Sequence, residues 1–225
     1  MVKKLGITGI IFLLLFVFVT IAVITDSLWV NRFDNTLTTL IQGQVTESGS
    51  SFVAVATDIA DFMAVTILTV ATVVILFVKR MYIASLWFGF TVLICAWFLM
   101  DTMKVIIGRE RPDELVITME TSLSYPSGHS IASVLFYGFL ALGLILTMKK
   151  ASYKIIVGIL VALIVLFVLA SRVYLGVHYP TDVIGGLFFG LASIFISASL
   201  YQLALPRLQQ WMKKKNWKDQ SPSLG

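Results

Sequence analysis

Apolar residues in this chain run in long unbroken stretches, and polar residues gather in the gaps between them. Stretches from Leu5 to Ile24, Phe62 to Val78, Ile83 to Met100, Ile131 to Met148, Ile155 to Ala170 and Val183 to Leu205 come close to the ~20 residues with which a helix crosses a bilayer core. The pattern predicts an all-α polytopic membrane protein with six transmembrane helices. It excludes a transmembrane barrel, whose strands are short and alternate in polarity. The first run is longer than the apolar core of a signal peptide, and no small-x-small site follows Ile24, so it is expected to be an uncleaved first span. The loop 25–61 has a period of its own. Phe33, Leu37, Leu40 and Ile41 fall at i, i+4, i+7 and i+8, which predicts an amphipathic helix at the membrane interface. A short helix packed on the ends of the spans fits the same pattern equally well.

Composition sharpens this picture. Only 13% of the 225 residues are charged and 58% are hydrophobic, against about 25% charged in soluble domains. The single cysteine, Cys95, lies inside an apolar run, which excludes an intrachain disulfide, a cysteine metal cluster and a dithiol redox motif. A net charge of +5 could attract nucleic acid, but here the basic residues sit at helix ends, so membrane lipids and not nucleic acid are the expected partners. Lys3, Lys4, Lys79, Arg80, Lys149, Lys150, Lys154, Arg207, Lys213, Lys214, Lys215 and Lys218 fall on one set of segments, and only Arg32, Lys104, Arg109, Arg111 and Arg172 on the other. By the positive-inside rule both termini are cytoplasmic, and 25–61, 101–130 and 171–182 are outer loops. The chain reads as one domain, 1–225, with a basic cytoplasmic tail at 206–225. Trp211 and Trp217 in that tail suit an anchor on the anionic inner surface, although a bare topology signal explains it equally well.

Polar residues with chemical potential concentrate on the outer side, in three clusters. In the first, Lys104 and Arg111 are seven residues apart and Pro112 follows. If the third helix continues that far, both cations lie on one face, about 10.5 Å apart along the axis, and the helix stops at Arg111. Membrane-boundary cations that snorkel to water would look similar. The second cluster is Tyr125-Pro126-Ser127-Gly128-His129-Ser130, just before the fourth helix. A Ser-Gly turn opening a helix offers free N–H groups to an anion, and the same dipeptide also serves as an ordinary helix start. The third runs from Ser171-Arg172 to His178-Tyr179-Pro180-Thr181-Asp182. Pro180 suits the first turn of the sixth helix, and Asp182, four residues after His178, is placed to accept its Nδ1–H and free Nε2 for chemistry. The chain has only two histidines, and both stand beside anion-binding groups. Three cations, a helix start, an oriented histidine and a second histidine fit phosphoryl transfer. Two histidines with Asp182 could in principle hold a metal, but the nearby cations would repel it, so neither a metal nor a cofactor is expected.

The set Lys-x6-Arg-Pro, Pro-Ser-Gly-His and Ser-Arg-x5-His-x3-Asp closely resembles that of the type 2 phosphatidic acid phosphatase superfamily of integral membrane lipid phosphatases. It also resembles that of soluble vanadium haloperoxidases, a branch the membrane spans argue against. The resemblance implies His178 as the nucleophile that becomes a phosphohistidine, Asp182 as its orienting partner and His129 as the acid that protonates the leaving alkoxide. It implies Lys104, Arg111, Arg172, Ser127 and Gly128 as the phosphate cradle. Arg109 lies outside the motif and receives no catalytic role. The expected substrate is a lipid mono- or diphosphate at the outer face of a bacterial-type cytoplasmic membrane: phosphatidylglycerophosphate, phosphatidic acid or undecaprenyl diphosphate. The competing expectation is a catalytically silent lipid binder or transporter that keeps a phosphate site.

Overall fold

The computed structural model describes residues 2–113, 117–118 and 120–223. Among them the chain is helical, without strands, and six helical stretches are long and apolar enough to cross a membrane. α1 (Val2–Ile24) is the first span. The loop 25–61 that follows holds two helices rather than the one predicted, α2 (Leu28–Gln42) and α3 (Glu47–Thr57). A 3-10 turn leads from α3 into α4 (Phe62–Val78), the second span, whose start is capped by Asp61 accepting from the Met63 N–H at 3.0 Å.

The third span is built in three pieces: α5 (Tyr82–Leu93), a π-helical stretch (Ile94–Leu99) and α6 (Met100–Ile107). Phe88, Val92, Ala96, Met100 and Lys104 are all buried along it, at a constant spacing of four. In an uninterrupted α-helix, positions four apart drift by about 40° per step, so Lys104 would face away from the side that Phe88 buries. The wider π turn absorbs that drift and keeps one inward stripe from the middle of the span to Lys104. α7 (Gly128–Thr147), α8 (Ala151–Tyr174) and α9 (Pro180–Lys214) complete the spans.

α1, the third span, α7 and α9 share the main core around Phe16, Val92, Ile131, Leu135 and Phe189. α7 and α9 approach closely because α9 carries glycine where they cross. A Cβ on Gly186 would lie 2.8 Å from the Ser127 carbonyl oxygen. Membrane helices associate through such small-residue contacts, since lipid is as apolar as their side chains.

α9 has 35 residues, about 52 Å, and passes through Pro206 beyond the predicted end of the sixth span at Leu205. The residues after it fold back onto the start of α5. Asp219 accepts from the Ile83 N–H at 3.1 Å and Ser221 from the Ala84 N–H at 2.9 Å, while Tyr201 donates to the Pro222 carbonyl at 2.9 Å. The first N–H groups of α5, which have no acceptor within their own helix, thus find partners in the tail.

α2 is amphipathic as expected, but its buried side is rotated from the predicted one. Val30 and Asp34 face inward, whereas Leu40 is 65% exposed.

Candidate active site

The ends of α6, α7, α8 and α9 meet at one end of the bundle. α6 stops at Ile107, where Gly108 takes a left-handed conformation (φ 67°) and its N–H donates to the Lys104 carbonyl. That conformation suits glycine at a helix end. The helix therefore finishes before Arg111, and the two cations do not share a helical face as their spacing suggested. Ser122 brings them together instead. Its hydroxyl accepts from Lys104 Nζ at 3.0 Å and from Arg111 Nη2 at 2.9 Å, and its carbonyl accepts from Arg111 Nε at 2.6 Å.

Lys104, Arg111, Gly128, His129 and His178 line one cavity of about 210 Å³, walled on its apolar side by Phe62, Trp97 and Met100. α7 begins at Gly128, so the N–H groups of its first turn have no intrahelical acceptor. Ser127 is fully buried. Its N–H donates to the Asp182 carbonyl at 3.1 Å and its hydroxyl accepts from Ser130 at 3.0 Å. Arg172, 3% exposed, donates from Nη2 to Glu120 at 2.7 Å, and its buried Nε has no partner among the described residues. The other Glu120 oxygen lies 3.7 Å from Arg111. A carboxylate thus occupies the space between two of the expected phosphate ligands.

His178 is 2% exposed, and its environment fixes its tautomer. Arg111 Nη1 lies 3.2 Å from His178 Nε2 and can only donate, so Nε2 is the bare, accepting nitrogen and Nδ1 carries the proton. Nδ1 is 3.5 Å from Asp182 Oδ2, long for the direct bond expected from the i, i+4 spacing. Ser124 fills the gap. Its hydroxyl donates to Asp182 Oδ2 at 2.5 Å and accepts from His178 Nδ1 at 3.2 Å. Burial, only partly opposed by Asp182, pushes the His178 imidazole down to about 3, so the ring is neutral near pH 7.

Asp182 is completely buried, and its other oxygen accepts from Arg109 Nη1 at 2.6 Å. Arg109 also pairs with Asp34 at 2.7 Å, and its guanidinium lies 4.2 Å from the centre of the Tyr179 ring. Burial opposes the charge on Arg109, but Asp182 and Asp34 outweigh it and raise its pKa.

The model of the PAP2 superfamily matches residues 84–205, more than half of the chain, a range that contains Lys104, His129 and His178. The chain belongs to that superfamily. Over 95 residues, 42% of this chain and 47% of the relative, it is 41% identical to phosphatidylglycerophosphatase B of Bacillus subtilis. Over 103 residues, 45% of this chain and 46% of the relative, it is 36% identical to undecaprenyl-diphosphatase of Sulfolobus acidocaldarius. The matched stretch thus spans about half the length of either relative. The crystal structure of a transmembrane PAP2-type phosphatidylglycerolphosphate phosphatase from Bacillus subtilis superposes with a TM-score of 0.73 at 25% identity, covering 86% of this chain and 95% of that one.

Within this PAP2 fold, sequence reasoning missed Ser122, Ser124, Glu120, Arg109 and Asp34. The serines and Glu120 lie in a loop without periodicity, and Asp34 sits on a helix of the loop 25–61. Arg109 did offer a signal, as a cation on the side where the topology rule disfavours one.

Proposed function

We propose that this PAP2 protein is a membrane lipid phosphatase that hydrolyses a lipid phosphate monoester or diphosphate at the outer face of the cytoplasmic membrane, through a phosphohistidine. The observation that carries this reading is the neutral His178, whose bare Nε2 borders the same cavity as His129, Lys104 and Arg111. A pure binder has no need of a histidine with a fixed tautomer. In the first step the Nε2 lone pair attacks the terminal phosphorus, the bond from that phosphorus to the oxygen of the leaving lipid alcohol, or of the leaving lipid monophosphate in a diphosphate, breaks, and that oxygen takes a proton from His129. In the second, His129 removes a proton from water, the new hydroxide attacks phosphorus and the P–N bond breaks, releasing inorganic phosphate. Lys104, Arg111 and Arg172, with Ser127 and the Gly128 N–H, stabilise the charge on the phosphoryl oxygens. Phe62, Trp97 and Met100 offer the lipid an apolar wall.

The names of the two relatives, phosphatidylglycerophosphatase B and undecaprenyl-diphosphatase, support phosphatidylglycerophosphate and undecaprenyl diphosphate as the leading candidate substrates. The outer location is supported by basic residues at the opposite helix ends: Lys79 after α4, Lys149 and Lys150 between α7 and α8, and Lys213 and Lys214 at the end of α9. Purified protein in detergent, offered those two lipids and phosphatidic acid, should release phosphate from at least one, with or without excess chelator. Silence with all three would favour a lipid binder.

A further inference from the structure

We infer that Asp34, on α2, is a positioning residue for His178 that acts through Arg109 and Asp182; the inference rests on the phosphohistidine reading above. Asp34 is 2% exposed and its carboxylate accepts three hydrogen bonds. They come from the Thr181 N–H at 2.8 Å, the Thr181 hydroxyl at 2.7 Å and Arg109 Nη2 at 2.7 Å. Thr181 is the second residue of α9, so its N–H has no acceptor within the helix. Asp34 supplies that acceptor from 147 residues away in the chain. The next residue of α9 is Asp182.

One carboxylate from the first outer loop therefore holds both the helix turn that carries Asp182 and the guanidinium that faces it. The oxygens of Asp182 are divided as a result. Oδ1 accepts from Arg109 at 2.6 Å, while Oδ2 accepts from Ser124 and from the Tyr179 N–H at 2.9 Å. A carboxylate tied at both oxygens cannot rotate, and rotation would take away the acceptor that fixes the Ser124 hydroxyl and, through it, the His178 Nδ1–H. Charge-assisted bonds of this kind are the strongest in the set, and with Asp34 gone Arg109 would keep Asp182, the Thr181 hydroxyl and the face of Tyr179 but lose one of its two carboxylates. The line Asp34, Arg109, Asp182, Ser124, His178 links α2 to the nucleophile without a break.

A clamp that merely held α2 on the bundle would weaken every variant alike, so the deciding experiment is a double-mutant cycle. Asp34→Asn, Asp182→Asn and the double variant are compared by single-turnover phosphorylation of His178 with nitrophenyl phosphate in detergent. Asp34→Asn alone should slow phosphorylation about 10- to 100-fold, the scale on which loss of the group orienting a metal-bound histidine acts, with KM little changed. In the Asp182→Asn background it should cost no more than about twofold, because the group it positions is already gone. Equal losses in both backgrounds, or a wild-type rate in Asp34→Asn, would overturn the inference. Should Asp34→Asn change the elution or melting of the protein, Arg109→Lys, which keeps a charge but cannot bridge two carboxylates with two nitrogens, runs through the same cycle under the same criteria. A second readout needs no turnover: in His129→Gln, where His178 is the only histidine, its ¹⁵N shifts report the tautomer. Asp34→Asn should reduce the Nδ1–H population, and an unchanged spectrum would count against the inference. A wild-type protein that phosphorylates nothing would sink the phosphatase reading and leave this second measurement to decide on Asp34.

Discussion

His178 and Asp182 are joined through a third residue: 3.5 Å separates Nδ1 from Oδ2, and the Ser124 hydroxyl bridges them. Ser124→Ala removes a hydrogen bond to a charged group, an interaction of about 1.5–3 kcal/mol, equivalent to about 10- to 100-fold in rate. Steady-state kcat on a lipid substrate should fall by that amount, and Asp182→Asn should fall at least as far. A Ser124→Ala enzyme with wild-type kcat would show that the bridge is dispensable.

The two histidines should separate with an activated substrate. A nitrophenolate leaves without a proton, so in His129→Ala the first step is spared relative to a lipid alkoxide, for which loss of the acid should cost about 10² to 10⁴. If hydrolysis of the phosphohistidine also slows, His129→Ala releases a burst of nitrophenol near one equivalent and accumulates acid-labile phosphate. His178→Ala should give neither burst nor label. A burst that survives in His178→Ala would refute the division of roles.

Acid should reach His178 late. Its folded pKa, lowered to about 3 chiefly by burial, lies below the ordinary 6.5, so the ring stays neutral as the pH falls through 6 and 5. The unfolded chain takes up that proton near 6.5, so the stability contribution is fully present above 6.5 and is lost as the pH falls toward 3. ¹⁵N shifts of His178 in His129→Gln should show a midpoint below 5, with the melting temperature falling across the same interval. A midpoint at 6 or above would contradict the burial argument.

Glu120 pairs with Arg172 at 2.7 Å and approaches Arg111 at 3.7 Å, where a phosphate is expected to bind. Substrate must displace it. Glu120→Gln removes the competing charge and should lower KM and tighten inhibition by vanadate, a mimic of the phosphoryl transition state. A higher KM in Glu120→Gln would instead make Glu120 a support for Arg172.

The spans were legible because apolar length is a one-dimensional property, and α4 begins and ends where the pattern places it, at Phe62 and Val78. The histidines, Asp182 and the cations were legible because few ionisable residues occur in so apolar a chain. What holds them was not. Ser124 and Ser122 act through backbone positions that a loop acquires only on folding. Asp34 stands where an apolar residue is expected on the buried side of α2, so a search for an apolar stripe passes over it and takes in Leu40, which is exposed, while Ile41 of that stripe does pack on the core. Arg109 lies two residues from Arg111 yet points to a different carboxylate, because α6 ends at Gly108 and the chain beyond it is no longer helical.

The fold-back of the C-terminal residues bears on how the site can open. Asp219 and Ser221 fasten the residues after α9 to the start of α5, and the same rod, through its wide turn, carries Lys104 near its other tip. The partner rod is α9, with Asp182 at its first turn and the fastening residues just beyond its last. Ile83 and Met212 pack together in the apolar cluster at that joint. Lys104 and Asp182 thus stand on the two arms of a pair of tweezers riveted at the end far from the site. Sliding one arm along the other would strain the hydrogen bonds of the tail to Ile83 and Ala84, whereas splaying about the rivet or flexing at the π turn would leave them in place.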